Sequence, residues 1–115
     1  MSGFVTINAD LDRISQDIQS TTYQVDIARE EYLLKKAEYE NAFARIQIET
    51  KAKNPDATQT DIKAAAETGA YSLRVELIRK DSTYSKTQNK LRALRNRLDA
   101  LMEVAYNLRR EASIR

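Results

Sequence analysis

Four cationic side chains are spaced so that they would share one line along a helix. They are Arg79, Lys86, Lys90 and Arg97. Their separations are seven, four and seven residues. At about 100° per residue, these separations keep all four within about 20° of one line. Such a line of cations is suited to a polyanion, and the spacing therefore predicts contact with the phosphates of a nucleic acid.

The charge of the chain is unevenly distributed, although the net charge is only +2. Residues 86–115 carry eight basic and three acidic residues, whereas residues 1–61 carry seven basic and eleven acidic ones. Arg92 and Arg95 belong to the basic part and form a second line of candidate phosphate contacts. Opposite charge at the two ends predicts either contact between copies or an anionic ligand.

A second interpretation of the basic line is a solvated helix face that pairs with acidic residues of a neighbour. The acidic candidates for that pairing are Asp17, Glu31 and Glu38. Tyr84 and Tyr106 are candidates to stack on unpaired bases, although Tyr84 also fits the core of a helix pair.

Catalytic and metal chemistry has few candidate residues. The chain has no His and no Cys, which excludes zinc fingers, thiol nucleophiles, disulfides and Ser-His-Asp triads. Its two glycines cannot form a P-loop or a dinucleotide-binding turn. We therefore expect a protein that is not an enzyme and that uses no cofactor and no metal.

Apolar residues recur every seven positions in the first half of the chain, which indicates the seam of a coiled coil. The a positions are Phe4, Leu11, Ile18, Val25, Tyr32, Tyr39 and Ile46. The d positions are Ile7, Ile14, Thr21, Ala28, Lys35 and Ala42. Polar residues such as Thr21 and Lys35 weaken a seam but can fix its register.

The second half repeats this pattern. Its a positions are Ala70, Leu77, Tyr84, Leu91, Leu98, Ala105 and Ala112. Its d positions are Ala66, Leu73, Lys80, Thr87, Leu94, Leu101 and Leu108. Gly69 is a weak point in this helix, and it marks either a bend or a close approach to the backbone.

The only proline, Pro55, predicts a turn between the two heptad segments. Thr58 and Asp61 resemble a capping box that opens the second helix, with Asp in place of Glu. We predict an all-α fold: a single domain, 1–115, that forms a long antiparallel helical hairpin of the coiled-coil type. Helix one covers about 7–53, the turn about 54–58 and helix two about 59–112. A parallel or domain-swapped pair would satisfy the heptads almost as well.

Several large apolar residues lie off the seam and predict contacts with other chains. The candidates are Ile27, Leu34, Tyr71, Ile78 and Tyr106. We expect a homo-oligomer, because one hairpin of this size has little core. The composition shows no membrane span and no secretory signal, so we expect a cytoplasmic protein, in the host cytoplasm if it is phage-encoded.

About 40 residues of the second half carry a resemblance to a known family. They are the runs Lys80-Asp81-Ser82-Thr83, Leu98-Asp99-Ala100-Leu101 and Ala105-Tyr106-Asn107-Leu108-Arg109. This part resembles the C-terminal half of UvsY-type recombination mediators of tailed phages. The resemblance implies a small helical protein that forms ring-like oligomers and binds single-stranded DNA. Such proteins help a RecA-type recombinase to replace a single-strand-binding protein, with no bond-breaking step.

The leading hypothesis is therefore a single-stranded-DNA-binding mediator of recombination or replication. The alternative is a structural or adaptor coiled coil, such as a virion assembly factor, a chaperone or an inhibitor. In that case the off-seam apolar residues would bind another protein, and the basic line would be incidental.

Overall fold

The computed structural model describes residues 2–114, except for the side chains of Ser2 and Phe4. It contains three helices, α1 (Ser2–Lys53), α2 (Gln59–Gly69) and α3 (Tyr71–Ile114), and no strand occurs in this part of the chain. The predicted all-α hairpin is confirmed. Helix α1 begins at Ser2 instead of near residue 7, because residues 2–6 contain no proline and Gly3 alone does not end a helix.

The turn lies where the sequence placed it, between Lys53 and Gln59. The ammonium group of Lys51 donates hydrogen bonds to the carbonyl oxygens of Pro55, at 2.7 Å, and Ala57, at 3.2 Å. The Thr58 hydroxyl accepts from the Asp61 N–H, and the Asp61 carboxylate accepts from the Thr58 N–H. The predicted capping box is therefore confirmed, and it satisfies backbone donors at the start of α2.

The prediction of one uninterrupted second helix is wrong at Ala70, which separates α2 from α3 with φ −102° and ψ 11°. The interruption is slight, because the Ala70 N–H still donates to the Ala66 carbonyl at 2.9 Å. A Cβ on Gly69 would lie 2.6 Å from Cδ1 of Ile46. Gly69 therefore lies both at the break between α2 and α3 and at a close approach to α1, and its φ is not positive.

The chain divides into two compact units. Unit 1 contains residues 1–26 and 85–115, and unit 2 contains residues 27–84. In unit 2, Lys35 lies 3.0 Å from Glu76, and Lys80 lies 3.1 Å from Glu31. The partner numbers rise on one helix as they fall on the other, so the two helices of this unit run antiparallel.

The heptad assignment is confirmed by burial. Each predicted seam residue with a described side chain is buried or half-buried, except Ala112, which is exposed near the end of α3. Phe4 lies outside the described side chains. The buried residues of unit 2 are mainly small, namely Ala28, Ala42, Ala57, Ile62, Ala66 and Ala70. Those of unit 1 are Ile14, Thr21, Leu91 and Ala105.

Candidate nucleic-acid interface

The five basic residues of the run 86–97 are all exposed on α3, in unit 1. They are Lys86, Lys90, Arg92, Arg95 and Arg97. Within the described part of the chain, none of the five has an acidic group within 4.0 Å. Arg92 contacts Asn89 at 3.5 Å, which is at the limit for a hydrogen bond. These cations are therefore free to meet an anionic partner.

The helix separates the five cations into two groups. Lys86, Lys90 and Arg97 lie within about 20° of one line, and we call this set the lysine flank. Arg92 and Arg95 lie about 140–160° further around α3 from Lys90. A single strand that follows the lysine flank therefore does not reach these two arginines without wrapping around the helix.

Arg92 and Arg95 line a groove of about 540 Å³, which we call the arginine groove. Among the described residues, its lining is Val25, Gln88, Leu91, Arg92, Arg95, Asn96 and Asp99. Val25 comes from α1 and the other residues come from α3. The groove combines two apolar residues, two cations, two amides and one carboxylate, so both signs of charge meet in it.

Arg79, the first member of the predicted line, belongs to unit 2. It borders a cavity of about 350 Å³ together with Lys35, Glu76, Lys80 and Thr83. Lys35 and Lys80 are neutralised there by Glu76 and Glu31. Because the carboxylate of Glu76 lines the same cavity, Arg79 is a weaker candidate for a phosphate contact than the three residues of the lysine flank.

Among the described residues, Lys35 has a pKa that departs from its usual value. Its ammonium group donates a hydrogen bond to Glu38 at 3.0 Å and lies 3.0 Å from Glu76. Hydrogen bonding to Glu38, followed by that to Glu76, raises the pKa of Lys35 above its usual value. This Lys at a d position is therefore held in its charged form by carboxylates from both helices.

Two of the three acidic residues that were candidates to pair with the basic line pair with other lysines. Glu31 pairs with Lys80 and Glu38 pairs with Lys35, all within unit 2. Asp17 forms no ion pair among the described residues. Glu31 and Glu38 are therefore engaged within the chain and are not the natural partners of the lysine flank.

The two candidate stacking tyrosines differ in exposure. Tyr84 is half-buried and packs against Tyr32, with ring centroids 5.8 Å apart, so it belongs to the core of unit 2. Tyr106 is 63% exposed on α3 of unit 1. Tyr106 is therefore the better of the two for a contact outside the chain.

The predicted apolar contact residues are all exposed but do not form one patch. Ile27 and Leu34 lie seven residues apart on one line of α1, and they share the flank of Glu31. Tyr71 and Ile78 form a line on α3 that lies about 140° around the helix from Glu76. Since Glu31 and Glu76 border the same side of the seam, the two lines lie on different sides of unit 2.

One apolar feature of unit 2 was missed by the sequence analysis. Tyr39 and Phe43 pack with ring centroids 5.9 Å apart and line a surface pocket of about 230 Å³ with Glu40 and Ala44. Two aromatic residues at i and i+4 were the available signal. The heptad pattern assigns Tyr39 to the seam and does not by itself indicate its contact with Phe43.

The described residues contain no group of three His, Cys, Asp or Glu placed to hold a metal ion. In this same part of the chain, no helix is long and apolar enough to cross a membrane. No protein-family model, no curated protein and no solved structure matches the chain. A functional assignment therefore rests on the chain's own residues and on the resemblance of its second half.

Proposed function

We propose that this protein binds single-stranded DNA through the lysine flank and acts as a non-catalytic mediator of recombination or replication. The observation that carries the proposal is the contrast in charge pairing on α3. Lys80 in unit 2 has a carboxylate at 3.1 Å, whereas Lys86, Lys90 and Arg97 have none within 4.0 Å in the described chain. Unpaired cations in a line are the usual electrostatic footprint of a nucleic-acid surface.

The geometry of the lysine flank favours contact with the backbone of the nucleic acid over contact with base edges. Lys86 and Arg97 are eleven residues apart, which corresponds to about 16 Å along the helix. Long flexible cations at this spacing neutralise successive phosphates without reading sequence. Tyr106, the exposed tyrosine of α3 in unit 1, lies about 160° around the helix from Lys90, so a strand that follows the lysine flank contacts cations without stacking on this ring.

The role as a mediator comes from the resemblance of residues 80–109 to UvsY-type proteins. On that basis the protein forms a homo-oligomer and assists a RecA-type recombinase in displacing a single-strand-binding protein. These steps consist of binding and remodelling, so the lack of His and Cys is no obstacle.

A second candidate function is that of a structural or adaptor coiled coil. It is favoured by the exposed apolar residues of unit 2, where Leu34 is 65% and Tyr71 64% exposed. The Tyr39–Phe43 pocket adds a concave apolar site on the same unit. In this case a protein partner would occupy unit 2, and binding would depend little on salt.

The test is the fluorescence anisotropy of a labelled oligonucleotide, single-stranded and duplex, titrated with protein at about 50 and 200 mM salt. We expect a salt-sensitive preference for the single strand. Lys90→Glu with Arg97→Glu removes two phosphate contacts. Each contact contributes about 0.7 to the slope of log K against log salt for a single strand, so the double variant should bind about 60-fold or more weakly at 50 mM salt.

The matched control is Lys63→Glu with Arg74→Glu, which changes the charge equally on exposed residues of unit 2. This control should bind like the wild type, and circular dichroism should show equal helicity for all three proteins. If the lysine-flank variant retains wild-type affinity, or if the wild type binds no oligonucleotide at low salt, the proposal is wrong.

A further inference from the structure

We propose that the arginine groove is the docking site for the acidic edge of α1 from a second copy of this chain. The inference specifies the homo-oligomer of the proposed function, and its geometry does not depend on nucleic-acid binding. The two surfaces involved both belong to unit 1, namely Arg92 and Arg95 on α3 and Asp12 and Asp26 on α1.

The acidic residues of α1 in unit 1 are unpaired within the chain. This segment carries Asp10, Asp12, Asp17 and Asp26 but a single basic residue, Arg13. Among the described residues, none of these four aspartates has a basic group within 4.0 Å. Asp12 and Asp26 share one line of α1, whereas Asp10 and Asp17 lie about 140–160° around the helix from Asp12. Two unpaired carboxylates on one side of α1 thus accompany the unpaired guanidinium groups of Arg92 and Arg95 on α3.

Heptad positions place Asp26 beside the groove. Leu91 and Arg92 occupy positions a and b of α3, and both line the groove. Val25 and Asp26 occupy the same two positions of α1, and Val25 lines the groove as well. Asp26 follows the lining residue Val25 and therefore lies on the same side of unit 1 as Arg92, although it does not itself line the groove. Asp12 lies two heptads earlier, on the same line of the helix.

The side of unit 1 that carries Asp26, Arg92 and Arg95 is complementary to the same side of a second copy when a two-fold axis parallel to the helices relates the two copies. Rotation about such an axis puts α1 of one copy against α3 of the other at the same level. Asp26 of each copy then faces Arg92 and Arg95 of the other. Asp12, about 21 Å further along, is then placed relative to Arg109 as Asp26 is relative to Arg95. Each contact occurs twice, as an isologous interface requires.

The groove suits a protein partner better than a polyanion. The side of unit 1 that contains the groove carries three cations, Arg92, Arg95 and Arg109. It also carries three carboxylates, Asp12, Asp26 and Asp99. A phosphate backbone would meet these carboxylates, whereas a mixed surface is matched by a copy of itself.

Apolar groups on the same flank add to the contact. Exposed ion pairs alone contribute little, but Val25 and Leu91 line the groove, and the exposed Met102 and Tyr106 continue along the same flank of α3. The lysine flank lies on the other side of α3 and stays open for nucleic acid in this arrangement.

The test is a charge exchange followed by sedimentation equilibrium. Asp26→Arg places three cations in the interface, and Arg92→Asp with Arg95→Asp places three carboxylates there. Each variant alone should self-associate at least about tenfold more weakly than the wild type. An equimolar mixture of the two should regain wild-type association, because both contacts of the two-fold pair are then of opposite sign. Lys63→Asp with Arg45→Asp changes two exposed residues of unit 2; it is the matched control and should associate normally.

Three outcomes would overturn the inference: a wild-type chain that remains monomeric at about 100 µM, variants that associate normally, or a mixture that does not recover. Oligonucleotide anisotropy is measured in parallel. If Arg92→Asp with Arg95→Asp loses DNA binding without a change in mass, the groove belongs to nucleic acid and the inference is wrong. A chain that forms the predicted pair but binds no DNA would contradict the proposed function alone.

Discussion

Lys35 and Lys80 of unit 2 occupy seam positions, and each lies within 3.1 Å of a carboxylate on the opposite helix. The basic residues of the run 86–97 in unit 1 lie off the seam and have no acidic group within 4.0 Å in the described chain. The same helix, α3, supplies cations to both units. Its charges are thus used for internal pairing in one unit and left available in the other.

The two units also differ in the size of their buried residues. Unit 2 buries five alanines, whereas the buried residues of unit 1 include Ile14, Thr21 and Leu91. Small side chains permit a close approach of the helix backbones, which fits the short distance between Gly69 and Ile46.

The difference indicates a division of labour along the hairpin. Unit 2 contains the turn, the capping box and ion pairs that cross between its helices, all of which specify the antiparallel register. Unit 1 fills its seam with apolar residues and with two threonines, Thr21 and Thr87, and presents charges of both signs to its surroundings. We therefore expect substitutions in unit 1 to change binding and those in unit 2 to change stability.

The largest effect is expected from a substitution that places a carboxylate beside the unpaired cations of unit 1, as carboxylates lie beside Lys35 and Lys80 in unit 2. Ala93 is exposed, lies three residues after Lys90 and four before Arg97, and shares their flank. Ala93→Glu should pair with both cations and weaken binding of single-stranded DNA by about tenfold, while leaving the helix intact or slightly more stable. Oligonucleotide anisotropy at low salt measures this change.

Ala93→Gln provides the isosteric control for that substitution. It keeps the size of the side chain without its charge, so its affinity should stay close to that of the wild type. Equal loss of affinity in both variants would show that shape, and not charge pairing, limits the lysine flank.

An intermediate effect is expected from the close contact in unit 2. Gly69→Ala gains about 1 kcal/mol of helix propensity but brings a Cβ against Cδ1 of Ile46. Ile46→Val deletes that atom. Gly69→Ala should therefore be more favourable by about 1 kcal/mol in the Ile46→Val background than in the wild type, as measured by a double-mutant cycle in urea. Additive effects would mean that Gly69 is not required for close packing.

The smallest effect is expected from the pH dependence of Lys35. Its pKa is raised in the folded state above the usual 10.5. Its contribution to stability is therefore fully present below that value and is lost as the pH rises through the folded pKa. Compared with Lys35→Met, the wild type should lose stability more steeply above pH 10.5 in urea denaturation. A difference between the two proteins that is constant at all pH values would argue against the pairing with Glu38 and Glu76.

Much of the fold could be predicted from local patterns. The seven-residue repeat identified the seam, and the side chains at its positions are buried or half-buried from Ile7 to Leu108. Pro55 and Thr58 located the turn, because proline ends a helix and a hydroxyl caps the next one. Gly69 predicted either a bend or a close approach, and both the break at Ala70 and the proximity of Ile46 to Gly69 depend on how the helices pack across the seam.

The candidate site was predicted in part. The basic run and its exposure followed from composition and spacing. Helical angles alone also separate Arg92 and Arg95 from the lysine flank. That these two arginines line a groove depends on Val25, which comes from the other helix. The predicted set of apolar contacts proved to lie on different faces, because membership of one surface is decided by both helices together.

The sequence by itself determined that the chain forms two amphipathic helical segments joined at one turn, since periodicity, proline and capping act over a few residues. It also determined that the cations of residues 86–97 lie off the seam. Only the tertiary structure decided that Lys35 and Lys80 find carboxylates, that Gly69 meets Ile46 and that Arg92 and Arg95 share a groove with Val25. The physical reason is that these contacts depend on which helices pack together and in which register, and a heptad repeat is compatible with several such arrangements.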